Sequence, residues 1–153
     1  MRVIIANDHG AVALKKQLAA WLESAGHEVK NLGIEVDEKA DYPDMAALAC
    51  AEYKKGGFDF GILLCGTGIG ISMAANKIAG IRCALVHDRF TAEMAKAHND
   101  ANFLAMGGRV SYAEPPEEIL EAFMKASFEG GRHQGRVNKI SDLESGLGRK
   151  SCC

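Results

Sequence analysis

The sequence lacks the features that would place the protein in a membrane or on nucleic acid. None of its apolar runs approaches the roughly 20 residues that a membrane-spanning helix needs. The apolar stretch at residues 1–6 is too short for a signal peptide and runs directly into polar residues 7–9. The 18 Lys and Arg residues nearly balance the 20 Asp and Glu residues, which excludes nucleic-acid binding through bulk positive charge. We therefore expect a cytoplasmic protein with no membrane partner and no nucleic-acid partner.

The sequence also lacks paired cysteines. Its five cysteines are an odd number, and none has the paired spacing of a zinc site. We interpret them as reduced thiols, with Cys50 and Cys83 as small core residues and Cys152 and Cys153 on a polar tail. No metal site is expected. Cys65 stands apart, because it follows an apolar run and precedes a glycine-rich turn.

Short apolar runs alternate with helix-like segments along the whole chain. The predicted strands are residues 3–6, 27–32, 60–64, 82–86 and 102–106. The predicted helices lie near residues 14–25, 43–53, 70–78, 89–98 and 115–128, with a last amphipathic segment at 137–147. The first strand does not alternate with polar residues, which indicates burial on both faces. The pattern predicts one α/β domain over residues 1–153, with a parallel sheet and helices on both faces.

Polar residues follow four of the five predicted strands. They are residues 7–9, 65–70, 87–88 and 107–109. In open α/β sheets the ligand site lies beyond the carboxyl ends of the strands. We therefore expect these segments to form one chemical site.

The most informative segment is the glycine-rich turn at residues 65–70. Its glycines, Gly66, Gly68 and Gly70, let the backbone approach a ligand closely, and the N-terminus of the following helix suits an anion. The segment matches neither the P-loop nor the dinucleotide-binding fingerprint. A tight turn that needs glycine for its geometry alone is the alternative interpretation.

Cys65 lies at the mouth of this turn. The dipole of the following helix favours the thiolate, and a thiolate can act as a general base. The alternative is a buried structural cysteine, which is the commoner role of a free thiol.

Three arginines lie in glycine-rich surroundings. Arg109 follows two glycines, and Arg132 and Arg136 bracket a glycine-rich turn at residues 131–135. Guanidinium groups bind phosphate oxygens in a bidentate manner, so these residues predict a phosphate clamp. Solvated surface charge is the alternative for each of them.

Two histidines are further candidates. His98 ends a predicted helix, where it either caps the last carbonyl groups or acts as an acid–base group near neutral pH. Asp8 and His9 either form an ordinary turn after the first strand or hold sugar hydroxyls.

Eight segments, taken together and in order, carry a resemblance to a known family. They are residues 8–10, 41–43, 65–72, 74–77, 80–82, 98–100, 107–109 and 129–136. On these segments the chain resembles ribose-5-phosphate isomerase of type B over roughly residues 1–145. The wider group also includes the galactose-6-phosphate isomerase subunits.

The resemblance implies a doubly wound, Rossmann-like three-layer sandwich with a five-stranded parallel sheet. It implies a homodimer, or a dimer of such dimers, with active sites at the subunit interface and residues 130–150 packing on the partner. The implied reaction is the interconversion of ribose 5-phosphate and ribulose 5-phosphate through an enediolate, without metal or cofactor.

The resemblance also assigns roles to individual residues. Cys65 is the base that moves the proton, His98 opens the furanose ring, and Thr67 helps to hold the enediolate oxygen. The substrate-binding residues are Asp8, His9, Gly66, Gly68, Ile69, Gly70 and Asn99. The phosphate-binding residues are Arg109, Arg132 and Arg136, the last two contributed by the partner subunit. Another branch of the family uses a glutamate as base, and Ile71 occupies that position here, which favours Cys65.

Three other functions remain open from the sequence. The first is the same chemistry on allose 6-phosphate or galactose 6-phosphate, although galactose-6-phosphate isomerases of this group work as two different chains. The second is a nucleotide-binding module that places a ribose on Asp88 and a phosphate on the Gly66 turn. The third is a sugar-phosphate sensor without turnover.

Overall fold

The computed structural model describes residues 1–36 and 39–146. The strands are β1 Arg2–Asn7, β2 Glu28–Asn31, β3 Phe60–Cys65, β4 Cys83–Leu85 and β5 Phe103–Gly107. They form one parallel sheet in the order β2-β1-β3-β5-β4. The chain passes from β1 to β2 at one edge and then to β3 on the other side of β1, so the point where the strand order reverses lies between β1 and β3. The predicted doubly wound α/β fold is confirmed.

Helices cover both faces of this sheet. They are α1 Val12–Ser24, α2 Tyr42–Tyr53, α3 Ile69–Ala75, α4 Arg89–Ala97, α5 Pro116–Lys125 and α6 Arg132–Glu144. Successive residues of β1 point to opposite faces, so Val3 joins the core under α1, α4 and α5 while Ile4 joins the core under α2 and α3. Both are fully buried, which explains why the strand is apolar throughout. Among the described residues, no helix is long and apolar enough to span a membrane.

The prediction of a glycine-rich turn at residues 131–135 is wrong. These residues were expected to precede a last amphipathic segment at 137–147, but α6 begins at Arg132. The turn consists of Gly130 and Gly131, whose φ angles are 63° and 53°. Arg132 and Arg136 are therefore one helical turn apart on one side of α6. The end of the predicted segment, residue 147, and the tail with Cys152 and Cys153 lie outside the described residues.

A buried lysine fixes the loop that follows β2. The Lys15 side chain is fully buried on α1, and its Nζ donates to Ile34 O at 2.6 Å, Glu35 Oε1 at 2.7 Å and Asn31 Oδ1 at 3.2 Å. A buried ammonium group is tolerated only when such partners replace its water. The hydrogen bond from Lys15 lowers the pKa of Glu35. Lys15 therefore holds the loop at the carboxyl edge of the sheet.

We expect Lys15→Met to lower the free energy of unfolding by about 1–2 kcal/mol at neutral pH, because methionine fills the space but leaves the acceptors unpaired. Urea denaturation measures the loss. The control is Lys16→Met, which changes the exposed neighbouring lysine.

The pH dependence of this loss follows from Glu35. Because the pKa of Glu35 is lowered in the folded protein, the ion pair stabilises the fold above the ordinary Glu pKa. The contribution of the ion pair is lost as the pH falls through the folded-state pKa of Glu35. The difference in unfolding free energy between Lys15→Met and the wild type should therefore shrink at low pH. Equal losses in the two variants would contradict the assignment.

Candidate active site

Three turns meet at the carboxyl ends of β1, β3 and β5. The N–H of Asp8 donates to Leu64 O at 3.0 Å, which joins the turn after β1 to the end of β3. The N–H of Gly108 donates to Cys65 O at 2.8 Å, and that of Arg109 donates to Gly66 O at 3.0 Å. The polar segments after the first, third and fifth strands thus lie side by side.

These turns approach each other too closely for larger residues. A Cβ on Gly10 would lie 2.8 Å from the backbone N of Gly66. Gly68 has a φ of 77°, and a Cβ there would lie 2.6 Å from Leu85 Cδ1. Gly68 is therefore required by geometry, whatever else the turn binds. We call the junction of these three turns, at the end of β3, the floor of the site.

The thiol of Cys65 faces the glycine-rich turn. Cys65 ends β3 and is 4 % exposed, and the N–H of Gly68 donates to its Sγ at 3.1 Å. Thr67 and Ile69 are exposed beside it, and the hydroxyl of Thr67 accepts from the N–H of Ile69 at 3.3 Å. Cys65 thus combines a donor at its sulfur with a position at the floor of the site.

The other two described cysteines have a different environment. Cys50 and Cys83 lie in the core under α2 and α3. Burial raises the pKa of Cys50 to about 11, and it also raises the pKa of Cys83. Their thiols therefore stay protonated at neutral pH, and the prediction that they are core residues is confirmed.

Asp8 and His9 border the same floor. The Asp8 carboxylate, 6 % exposed, accepts from the N–H of Gly10 at 2.7 Å and so shapes its own turn. Nδ1 of His9 lies 3.0 Å from Ala40 O. Because a carbonyl oxygen only accepts, this contact assigns the proton to Nδ1 and leaves Nε2 for another partner.

Tyr42 was not among the predicted site residues, although it lies beside them. Its ring packs on Gly70, where a Cβ would lie 2.8 Å from ring atoms. The sequence placed Tyr42 only in a short motif at the start of α2, and nothing in the helical pattern indicated that its ring reaches the turn after β3. Ile71 is fully buried in the core, so no acid–base group replaces Cys65 at that position.

His98, Asn99 and Arg132 lie at the opposite edge of the sheet. The turn after α4 leads directly into β5. At that point the N–H of Gly61, near the start of β3, donates to Asn102 O. Cys65 lies four residues further along β3, and a strand rises about 3.3 Å per residue, so the two edges are about 13 Å apart. Within one chain the predicted residues therefore form two groups. The Cys65 group consists of Asp8, His9, Cys65, residues 66–70 and Arg109. The His98 group consists of His98, Asn99, Arg132 and Arg136.

The turn that carries His98 and Asn99 is tightly braced. Asp100 has a φ of 43°, a left-handed conformation that Asp adopts more readily than most residues. Its carboxylate accepts from Arg82 at 2.9 Å and from Lys96 at 2.8 Å, and Arg82 also donates to Asn99 O at 3.1 Å. The positions of His98 and Asn99 are thus set by hydrogen bonds rather than by packing alone.

Three further side chains join His98 at this edge. The imidazoles of His98 and His133 stack with ring centroids 4.1 Å apart and an angle of 10° between the planes. Oε2 of Glu129 lies 3.7 Å from Nε2 of His98 and 3.5 Å from Nε2 of His133. Nε of Arg132 donates to Nε2 of His133 at 3.3 Å. Burial lowers the pKa of His133, and the charges of His98 and Arg132 act in the same direction while Glu129 opposes them.

His98, Glu129 and His133 each bring one possible ligand atom to within 4.8 Å of the others. A metal ion needs lone pairs that converge on one point, as in a tetrahedral zinc site. Stacked imidazoles direct their lone pairs in parallel, and Nε2 of His133 already accepts from Arg132. The arrangement suits a proton and an anion better than a metal ion.

Asp88 has a structural partner. Its carboxylate caps α4 by accepting from the N–H of Thr91 at 2.7 Å and from the Thr91 hydroxyl at 2.8 Å. These bonds lower its pKa. The carboxylate that a nucleotide-binding module would need for a ribose is therefore engaged in a helix cap.

Comparisons with known proteins agree with this geometry. Residues 3–140 match the family described as Ribose/Galactose Isomerase. The chain is 43% identical to ribose-5-phosphate isomerase B of Escherichia coli K12 over 137 residues, which is 90% of this chain and 92% of that protein.

Solved structures extend the match to the fold. The structure of ribose-5-phosphate isomerase B from Clostridium thermocellum has a TM-score of 0.92 and 43% identity, covering 95% of this chain and 99% of the other. That of ribose 5-phosphate isomerase from Thermotoga maritima has a TM-score of 0.89 and 42% identity, covering 92% and 97%. The chain therefore belongs to the ribose/galactose isomerase family of aldose–ketose isomerases.

Proposed function

We propose that the chain interconverts ribose 5-phosphate and ribulose 5-phosphate through an enediolate, with Cys65 as the base. The observation that carries the proposal is the Cys65 sulfur, which accepts the Gly68 N–H at 3.1 Å at the floor of the turns. The family and the type B relatives support an isomerase of this class.

The proton transfer follows from the chemistry of the Cys65 group. The Cys65 thiolate removes the proton from C2 of the open-chain aldose, and the carbonyl electrons move onto O1. The Thr67 hydroxyl stabilises the enediolate oxygen together with backbone N–H groups of the 66–70 turn other than those of Gly68 and Ile69, which are engaged within it. The proton on O2 moves to O1, the thiol returns its proton to C1, and C2 becomes the carbonyl. One base serves both carbons, so nothing is consumed.

Ring opening and phosphate binding belong to the other predicted residues. His98 donates a proton to the ring oxygen while the C1 hydroxyl releases one to water, which breaks the bond between C1 and the ring oxygen. Asp8, His9 and Asn99 bind the sugar hydroxyls. Arg109, Arg132 and Arg136 bind the phosphate, whose binding energy positions the distant reacting carbons.

A second copy of the chain completes the site in this proposal. The Cys65 group and the His98 group lie at opposite edges of one sheet, so one chain cannot close them around a five-carbon substrate. Apolar side chains are exposed near both: Ile69, Met73 and Phe90 at the carboxyl edge, and Ile140 and Leu143 on α6. Packing these side chains against a second copy would remove their apolar surface from water, which is favourable. A homodimer that packs α6 on the partner buries them and unites the two groups.

A panel of sugar phosphates tests the substrate. We expect turnover of ribose 5-phosphate to exceed that of allose 6-phosphate and galactose 6-phosphate, with and without a chelator. The single chain carries both the acid–base residues and the phosphate-binding residues, which favours a homodimer over a pair of different chains. Preferred turnover of a hexose phosphate would replace the pentose proposal, and phosphate-dependent binding without turnover would indicate a sensor.

His98→Ala should separate ring opening from isomerisation. Ribose 5-phosphate is mainly a closed furanose, whereas ribulose 5-phosphate stays open because its 5-hydroxyl is esterified. Without His98, the forward rate should stop rising with enzyme concentration once spontaneous ring opening limits it. The reverse rate should remain proportional to enzyme concentration. Initial rates in both directions over a range of enzyme concentrations provide the measurement, and a forward rate that stays proportional to enzyme would argue against the role.

A further inference from the structure

The carboxylate of Glu129 has no part in the mechanism above, yet it lies against both stacked imidazoles. Its Oε2 is 3.7 Å from Nε2 of His98 and 3.5 Å from Nε2 of His133. Its own N–H donates to Ala97 O at 3.0 Å, which fixes its backbone against the end of α4. Glu129 is thus held beside His98 by a bond that does not involve its side chain.

The contacts of His133 define which ring is neutral. Nε of Arg132 donates to Nε2 of His133 at 3.3 Å, and that nitrogen can accept only if it carries no proton. His133 is 4 % exposed, and burial lowers its pKa. The charges of Arg132 and Arg136 act in the same direction. His133 is therefore the neutral ring of the stacked pair.

The other ring, that of His98, faces a carboxylate. Two imidazolium rings stacked at 4.1 Å would repel each other, and a neutral His133 removes that repulsion. The remaining cations near this turn, Arg82 and Lys96, are paired with Asp100. Among the described residues, Glu129 is the one whose carboxylate makes an ion-pair contact with His98.

We propose that Glu129 is a positioning residue that orients the His98 ring and pairs with it when the ring carries a proton, while His133 stacks on it as the neutral partner. This inference rests on the proposed role of His98 in ring opening. A carboxylate that orients an imidazole and stabilises its charged form is a general way of preparing an acid–base group.

Kinetics of Glu129→Gln test the proposal. The amide keeps the shape of the side chain but removes its charge. We expect the turnover number with cyclic ribose 5-phosphate to fall about tenfold, a part of the roughly 10²–10⁴-fold that a positioned general acid contributes. Turnover of open-chain ribulose 5-phosphate should change little, and Glu129→Asp should restore part of the forward rate. The control is Glu121→Gln, which removes an exposed carboxylate paired with Lys125 at 2.9 Å.

The direction of the reaction gives a second readout that a purely structural role would not move. The loss in Glu129→Gln should fall on the turnover number with cyclic ribose 5-phosphate and leave the KM for both sugar phosphates nearly unchanged. An equal loss in both directions would overturn the proposal.

Imidazole NMR separates this inference from the proposed function. The His98 ring signals, assigned with His98→Gln, should change position in Glu129→Gln and stay unchanged in Glu121→Gln at the same pH. These signals do not depend on turnover. Unchanged His98 signals in Glu129→Gln would overturn the inference even in an active enzyme, whereas changed signals in a chain without isomerase activity would support it and contradict only the function.

Discussion

Replacing Cys65 by alanine is expected to lower the turnover of ribose 5-phosphate by about 10²–10⁴-fold, the usual contribution of a positioned general base. The sulfur lies beside the glycine-rich turn at the floor of the site, and the buried Ile71 carries no group that could take a proton in its place. Binding of a non-isomerisable phosphorylated sugar should be largely retained, because the phosphate contacts are elsewhere. Turnover assays and calorimetric titration measure the two effects separately.

Two further variants sharpen the Cys65 experiment. Cys65→Ser keeps the shape of the side chain but replaces the thiol by a much weaker acid, so it should be nearly as impaired as the alanine variant. Cys50→Ala removes a thiol that burial keeps protonated, with a pKa of about 11, and should leave turnover unchanged. Normal turnover in Cys65→Ala would refute the mechanism. Loss of sugar binding together with turnover would assign Cys65 to the shape of the turn instead.

The fold could be predicted from the sequence because its strands are buried on both faces. Residues 3–6 and 60–64 are apolar without interruption, which only a sheet covered on two sides explains. The strand order could not be predicted, because β5 inserts between β3 and β4 through pairing of distant residues. The start of α6 was also missed. Two glycines and two arginines favour a turn locally, but burial of His133 and Val137 against the rest of the chain favours a helix.

The site could be predicted in part. Residues that follow strands were expected to meet, and Asp8, Cys65 and Arg109 do so through backbone hydrogen bonds. His98 follows a helix instead, and helices between parallel strands run in the opposite direction, so its position at the other edge was implicit in the pattern. The sequence did not reveal Glu129 and His133 as partners of His98, because they come together only through the turn at Gly130 and Gly131.

Complementation between inactive variants tests the shared site most directly. In a two-fold symmetric dimer, each site takes its Cys65 group from one chain and its His98 group from the other. A heterodimer of Cys65→Ala with His98→Ala/Arg132→Ala then contains one site with every change and one site with none. Co-expression with two affinity tags isolates this heterodimer. Its turnover should recover to about half that of the wild-type dimer, although each parent homodimer is nearly inactive.

The matched control pairs two changes from the same edge. Arg109 is exposed beside Gly66, and its N–H donates to Gly66 O, so it belongs to the Cys65 group. A heterodimer of Cys65→Ala with Arg109→Ala has one change in each site and no intact site. It should therefore show no recovery. The two heterodimers differ only in where the changed residues lie. Recovery of turnover in this control, or no recovery of turnover in the first heterodimer, would therefore contradict a site built from opposite edges of two chains.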